Sequence, residues 1–228
     1  EGGTDFRGAR TVATTLRPSQ REALEEATAS YEAAVTAEAA RYLVSRGLDR
    51  TAAVTNRVGV VADPFPGHER FRGFLAIPYL DRNGKPLSMR FRCIQEHNHR
   101  DFGHGKYMGM KDEPPRMFNV GAVHRAETEI AVTEGEFDAM VLNMIGIPAV
   151  AVPGAQGWRN HYRRMLAGFN RVWVFGDPDD AGAELVAKIT RSLRSAKGVR
   201  LRDGDVTDTY LKHGADALYA LMKTEDSK

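Results

Sequence analysis

The sequence predicts an α/β protein, a mostly parallel sheet flanked by helices and preceded by a smaller, basic α+β unit. Three observations carry this reading. After about residue 123, apolar runs at 130–133, 149–152, 172–175 and 199–201 alternate with helical stretches near 137–145, 158–168, 181–196 and 208–222. Such alternation implies a parallel sheet covered on both faces. Before that point the period differs: helical spacing comes first, then two extended runs flank Asn83-Gly84. Finally, 228 residues of which 42% are hydrophobic can fill one large core or two smaller ones.

Taken in order, residues 1–17 lack periodicity and read as a linker or frayed terminus. The start at Glu1 rather than Met suggests a piece of something longer. Ser19 and Glu22 fit a capping box. Leu24, Ala27, Tyr31, Ala34, Val35 and Ala39 then recur at helical spacing, continued by Tyr42 and Leu43 until Gly47. A short second helix is expected over 49–56. "FRGFLAIPYLDRNGKPLSMRFRCIQ" reads as a hairpin whose Asn-Gly favours a type I′ turn. "EHNHRDFGHGKYMGMKDEPPRMFN" follows as a Gly-, His- and Pro-rich loop. The units are therefore expected at 18–122 and 123–228.

Composition narrows the chemistry. No apolar stretch approaches 18 residues and no leader is evident, so a soluble, cytoplasmic protein with no membrane partner is expected. The single cysteine, Cys93, excludes an internal disulfide and any cysteine-rich zinc site. Net charge is only +2, but residues 70–116 hold ten Lys and Arg against five Asp and Glu, with six aromatics interleaved. That mixture suits a nucleic-acid track or a solvated charged face.

Three acidic clusters fall where strands end. "IAVTEGEFDAM" places Glu134 directly after a strand, with Asp138 four residues on. "VWVFGDPDDAG" places Asp177 and Asp179 after another, and "VRLRDGDVTDTYL" places Asp205 and Asp208 after the last. Parallel strands bring all three to one end of the sheet. Each alone is a reasonable helix cap; together they repel and call for cations. Oxygen-only ligation by carboxylates is what Mg²⁺ prefers, and Mn²⁺ accepts it too.

"EGEFDAM", "GDPDDAG" and "DGDVTDTYLKHG" resemble the Toprim domain of topoisomerases, primases, nucleases and recombination proteins. "AARYLVSRGLDRTAAVTNRVGV", "FRGFLAIPYLDRNGKPLSMRFRC", "GKYMG" and "VTEGEFDAMVLNMIGIPAVAVPGAQGW" follow the order of bacterial-type (DnaG-like) DNA primase cores, phage versions above all. The resemblance covers about residues 36–215. It implies a primase core that builds short RNA primers from NTPs on single-stranded DNA with Mg²⁺. By the same resemblance Glu134, Asp177 and Asp179 are the catalytic metal ligands, supported by Asp138, Asp208 and the less secure Asp205; Glu134 as a general base is the alternative. Arg92 matches the family's strand arginine and Lys106 its Lys-Tyr-Leu lysine. Arg41 or Arg46 supplies the helix arginine, Lys111 or Arg116 the second cation, and Arg72 and Arg90 complete the nucleotide- and template-binding candidates.

Such primases usually carry a separate zinc-binding domain and a helicase or helicase-binding part. Both are expected outside this chain, with no zinc inside it. His97, His99 and His104 suit polar surface or phosphate contact better than zinc, given their spacing on a loop. "VPGAQGW" lacks the Lys-Ser/Thr of a Walker A loop and reads as a turn. Trp158, Trp173, Met140 and Met144 read as packing. A Toprim nuclease and a non-catalytic recombination-mediator protein are the competing functions.

Overall fold

The computed structural model describes residues 16–111, 113–202 and 204–226. The terminal segment expected at 1–17 thus lies almost wholly outside the described residues. Helix α1 (Pro18–Ala33) starts with proline, whose missing N–H is no loss in a first turn. Gln20 Oε1 accepts from the Arg17 N–H at 2.9 Å, so the cap sits at Arg17 rather than Ser19. The long apolar stripe does not run on as one helix. Thr36 interrupts it, its hydroxyl accepting from the Ala39 N–H at 3.1 Å and starting α2 (Ala37–Ser45) afresh. A hydroxyl able to bond the local backbone favours a cap over a helix interior. Asp49 likewise caps α3 (Arg50–Thr55), accepting from the Ala52 N–H at 2.7 Å.

Strands β1 (Gly59–Val60), β2 (Leu75–Leu80), β3 (Pro86–Arg92) and β4 (Tyr107–Gly109) form an antiparallel sheet in that order. The β2–β3 turn is not type I′. Asp81 rather than Asn83 organises it: the Asp81 carbonyl accepts from Gly84 N–H at 3.0 Å, and Asp81 Oδ1 accepts from Asn83 N–H at 2.8 Å and Lys85 N–H at 3.0 Å. Only Gly84 has positive φ (+77°), as in a type I turn closed by a left-handed residue. The register accordingly shifts at Leu80, which faces Pro86.

Phe118 forms an antiparallel bridge with Ala151, and α4 (Gly121–Arg125) follows. Next come β5 (Glu129–Thr133), α5 (Glu136–Met144), β6 (Ala149–Ala151), α6 (Gly154–Gly157), α7 (Asn160–Leu166), β7 (Arg171–Gly176), α8 (Asp180–Ser192), β8 (Ala196–Arg200), α9 (Val206–His213) and α10 (Ala215–Asp226). The sheet order is β6-β5-β7-β8, every pair parallel. This is the α/β architecture expected. The helix expected over 208–222 is divided at Gly214, whose φ of +75° no helix interior accommodates. The one expected over 181–196 stops at Ser192, so that β8 starts at Ala196.

Both faces of the parallel sheet are buried, as crossover helices require. Ile130, Val132, Val172 and Val174 pack with Leu185, Ile189 and Trp158 on one side. On the other, Ala131, Trp173 and Phe175 share a core with Phe137, Met140 and Leu218, and with Leu75, Ile77 and Tyr79 of β2. The two units are therefore joined by one continuous core. No helix among the described residues is long and apolar enough to cross a membrane.

Glycine decides how closely α8 can approach the end of β7. A Cβ on Gly182 would collide with the backbone N and O of Asp177. Gly182→Ala is expected to cost about 1–3 kcal/mol or more, as overpacking against immovable backbone does. Gly168→Ala, where nothing lies within 4 Å of the added methyl, should stay within about 0.5 kcal/mol. Urea unfolding of the two variants checks this; equal losses would show that the close approach is not what constrains the turn.

Candidate active site

The acidic residues assemble from strand ends upward. Glu134 leaves β5 directly, at a turn in which the Thr133 hydroxyl donates to the Gly135 carbonyl at 3.0 Å. Asp177 leaves β7, and two residues on Asp179 caps α8 by accepting from the Gly182 N–H at 2.8 Å. Asp205 caps α9, accepting from the Asp208 N–H at 2.7 Å. Asp138 lies in the first turn of α5 and is buried. Its Oδ1 accepts from both the Thr207 N–H at 3.0 Å and the Thr207 hydroxyl at 2.7 Å, tying α5 to α9.

These carboxylates feel one another. Burial, then the charge of Asp205, pushes the Asp138 carboxyl up to about 7. Burial, then Asp177, raises Glu134. Burial, then Asp205, raises Asp177, with Asp179 and Asp208 adding to it. All six residues are thus linked in one electrostatic cluster at the carboxyl edge of the sheet. Asp205, the position less secure by motif spacing, outranks Asp208 as a neighbour of Asp177.

A divalent cation fits this donor set. Every donor is a carboxylate oxygen, as a hard ion requires. The Glu134 Oε1 atom is buried and has no hydrogen-bond partner among the described residues, a costly arrangement unless a cation completes it. Glu134, Asp177 and Asp179 would hold such an ion. A cavity of about 500 Å³ lined by Asp177, Asp179, Gly182 and Leu201 opens beside them.

A cationic group faces the acidic one. Arg92 is buried, donating to the hydroxyls of Tyr42 (2.7 Å) and Tyr107, with its guanidinium 4.5 Å from the Tyr107 ring centre and 4.6 Å from that of Phe137. Its partners are hydroxyls and ring faces, which orient the charge without cancelling it. Burial lowers its pKa, and Arg46 nearby adds to that. Desolvation, then Arg92 and Arg46, lowers that of Lys106. Arg46 Nη2 also lies 3.4 Å from Asp205 Oδ2, stitching the two charged groups together. Between Arg41 and Arg46, the structure thus brings Arg46 to the site; Arg41 is exposed on α2.

Of the other candidate cations, Arg90 shares the Tyr107 ring with Arg92 but is paired with a carboxylate. Arg90 Nη1 is 2.8 Å from Glu136 Oε1, which also accepts from the Tyr79 hydroxyl at 2.6 Å. Glu136 is almost fully buried, so Arg90 and Tyr79 clamp the antiparallel sheet onto α5. Arg72 is exposed, donating to the Ala62 carbonyl at 2.7 Å and lying 3.7 Å from Asp63. Arg116 lines a small cavity with Tyr79, Arg90 and Glu113, while Lys111 is exposed. Sequence reasoning missed Glu136, Tyr79 and Thr207. Glu136 was visible inside "EGEFDAM", and Thr207 is an interior residue of the stretched motif "DVTDTYL".

Comparison with known proteins accords with this geometry. A family model described as Toprim-like matches residues 131–209. The gene 57 protein of Mycobacterium phage D29 is 37% identical over 153 residues, spanning 65% of this chain and 97% of that protein. The chain belongs to the family of this phage protein, and carries a Toprim-like domain over residues 131–209. Its fold is that of the bacterial-type primase catalytic core. The Aquifex aeolicus primase (zinc-binding and RNA polymerase domains) superposes with a TM-score of 0.75 at 21% identity, over 92% of this chain and 62% of that one. The RNA polymerase domain of Mycobacterium tuberculosis primase DnaG, solved with a double-stranded DNA oligomer bearing a 6-nucleotide overhang, gives 0.74 at 22% identity, over 91% of this chain and 80% of that one. The Toprim chain thus spans under two thirds of the Aquifex structure.

In this Toprim protein the raised carboxyl of Asp138 has a measurable consequence. From its ordinary value of 3.8 to about 7, the folded chain keeps a proton that the unfolded chain has released. Stability in EDTA should therefore fall as pH rises through that window. Asp138→Asn carries no such proton and should flatten the fall. Urea midpoints measured from pH 4 to pH 8 test this; an unchanged slope in the variant would contradict it.

Proposed function

We propose that the chain is the catalytic core of a primase, joining ribonucleoside triphosphates into short RNA on a single-stranded DNA template. The observation that carries this reading is the adjacency of a carboxylate cluster and a cationic one, in contact at Arg46–Asp205. A metal-dependent nuclease requires the acidic half. The cationic half beside it is what a polymerising site needs in addition, to hold a triphosphate and a template together. The likeness to primase cores, one of them solved with DNA, supports the same reading.

In the reaction, the 3′-hydroxyl oxygen of one nucleotide attacks the α-phosphorus of the next. The bond to the bridging oxygen breaks and pyrophosphate leaves. Mg²⁺, with Mn²⁺ as substitute, supplies charge neutralisation at the triphosphate and activation of the attacking hydroxyl when held by Glu134, Asp177 and Asp179. Asp138, anchored by Thr207, and Asp205 and Asp208 sustain the negative field around these ligands. Arg92, Lys106 and Arg46 orient and neutralise phosphates. Arg92 is suited to this because its aromatic cage holds it rigidly while leaving its charge uncancelled.

Incubation with single-stranded DNA, Mg²⁺ and labelled NTPs should yield oligoribonucleotides. Asp177→Asn and Asp179→Asn should each reduce synthesis by on the order of 100-fold, with DNA binding little changed. Lys106→Ala should instead weaken binding and lower its salt dependence by about one ion. Template degradation without oligoribonucleotide formation would favour the nuclease reading and overturn this one.

A further inference from the structure

The loop between β3 and β4 brings together four side chains that the acidic site does not use. Cys93 is the first residue beyond β3, and its N–H donates to the Lys106 carbonyl at 2.9 Å, closing residues 93–106 into a loop. Within it, Asn98 caps a 3₁₀ turn over His99–Phe102, and Gly103 at φ +70° reverses the chain. The His104 N–H then donates to the His99 carbonyl at 3.1 Å. This folding returns His97, His99 and His104 to Cys93. One ligand atom from each of the four lies within 4.8 Å of the others, and Cys93 Sγ is 3.7 Å from His97 Nε2.

A tetrahedral zinc site has Zn–S near 2.3 Å and Zn–N near 2.0–2.1 Å, which puts its ligand atoms roughly 3.3–3.6 Å apart. The observed separations, none above 4.8 Å, need to contract by at most about 1.5 Å to meet that. Two further observations point to a ligand. His99 Nδ1 is buried and lacks a partner among the described residues. His104 Nδ1 is 3.1 Å from the Gly105 carbonyl; donating there leaves Nε2 with its lone pair, the outer-shell contact that orients metal-binding histidines. Three imidazoles and a thiol are also a donor set for zinc, not for the hard ions that suit the carboxylates. Ring stacking is a weaker account of the cluster. His97 stacks on the exposed Phe102 with centroids 4.4 Å apart, but nothing in stacking draws a thiol and an unpartnered nitrogen to the same point.

We propose that Cys93, His97, His99 and His104 form a structural zinc site that locks the β3–β4 loop and thereby holds Lys106 beside Arg92. This reverses the expectation of no zinc in the chain. Four protein ligands close the coordination shell, so the site is structural and separate from the acidic edge. Only the consequence for Lys106 rests on the primase reading; the zinc site itself does not.

The test uses the full chain, free of any histidine tag and loaded with Zn²⁺, then dialysed. Elemental analysis should find about one zinc per chain, retained in Asp177→Asn and lost in His99→Ala and Cys93→Ser. Replacement by Co²⁺ should give the visible spectrum of a tetrahedral thiolate site, absent in Cys93→Ser. Zinc removal should lower the melting temperature of the wild type. As a check that needs no variant to fold, competition against a chromophoric chelator reads wild-type affinity directly. Affinity weaker than about 10 µM, or full zinc retention in both ligand variants, would overturn the proposal. Loss of zinc in Asp177→Asn alone would also overturn it, moving the ion to the acidic edge.

Discussion

Repulsion among carboxylates crowded onto one edge of a sheet is the constraint around which this structure is arranged. Three parallel strands deliver acids to the same place, and the fold disposes of each differently. Asp179 and Asp205 accept from backbone N–H groups at helix starts, where partial positive charge offsets their own. Asp138 is so buried that it stays protonated toward neutral pH, steadied by Thr207. Asp205 also borrows charge from Arg46. Glu134 accepts from the Asp177 backbone, yet its Oε1 has no hydrogen-bond partner among the described residues, and both Glu134 and Asp177 keep a raised pKa.

The opposite bank shows the same problem with the sign reversed. Arg92 sits among Tyr42, Tyr107 and Phe137 rather than against a carboxylate, so its burial is made tolerable by hydroxyls and π faces. Lys106 and Arg46 share its neighbourhood: burial and the Arg46 charge lower the pKa of Arg92, and burial with both arginines lowers that of Lys106. An anion entering between the two banks relieves the cations, and a metal ion relieves the carboxylates. On the proposed reading, a nucleoside triphosphate with its divalent ion would do both at once; the contact between Arg46 and Asp205 is what joins the two clusters.

Much of this was legible in the sequence because it depends on short-range pattern. Apolar runs followed at once by acids place Glu134, Asp177 and Asp205 at strand ends without knowledge of the fold. What escaped depends on contacts distant in the chain. Glu136 looks like an ordinary first-turn acid until Tyr79 and Arg90 are seen to hold it. The histidines of the β3–β4 loop are spaced irregularly, and only a 3₁₀ turn and a left-handed glycine return them to Cys93. Local chemistry also overrode pattern in places: the Thr36 hydroxyl split a continuous helical stripe, and the Asp81 carboxylate chose a turn type that Asn-Gly alone does not favour.

The clamp on Glu136 has a mechanical consequence. One carboxylate oxygen, rooted two residues from Glu134, is gripped simultaneously from two strands of the other sheet, and a shared apolar core lies behind it. That joint lies close to the acidic edge. The acidic and cationic clusters are thereby held in register by the same joint that binds the two sheets together.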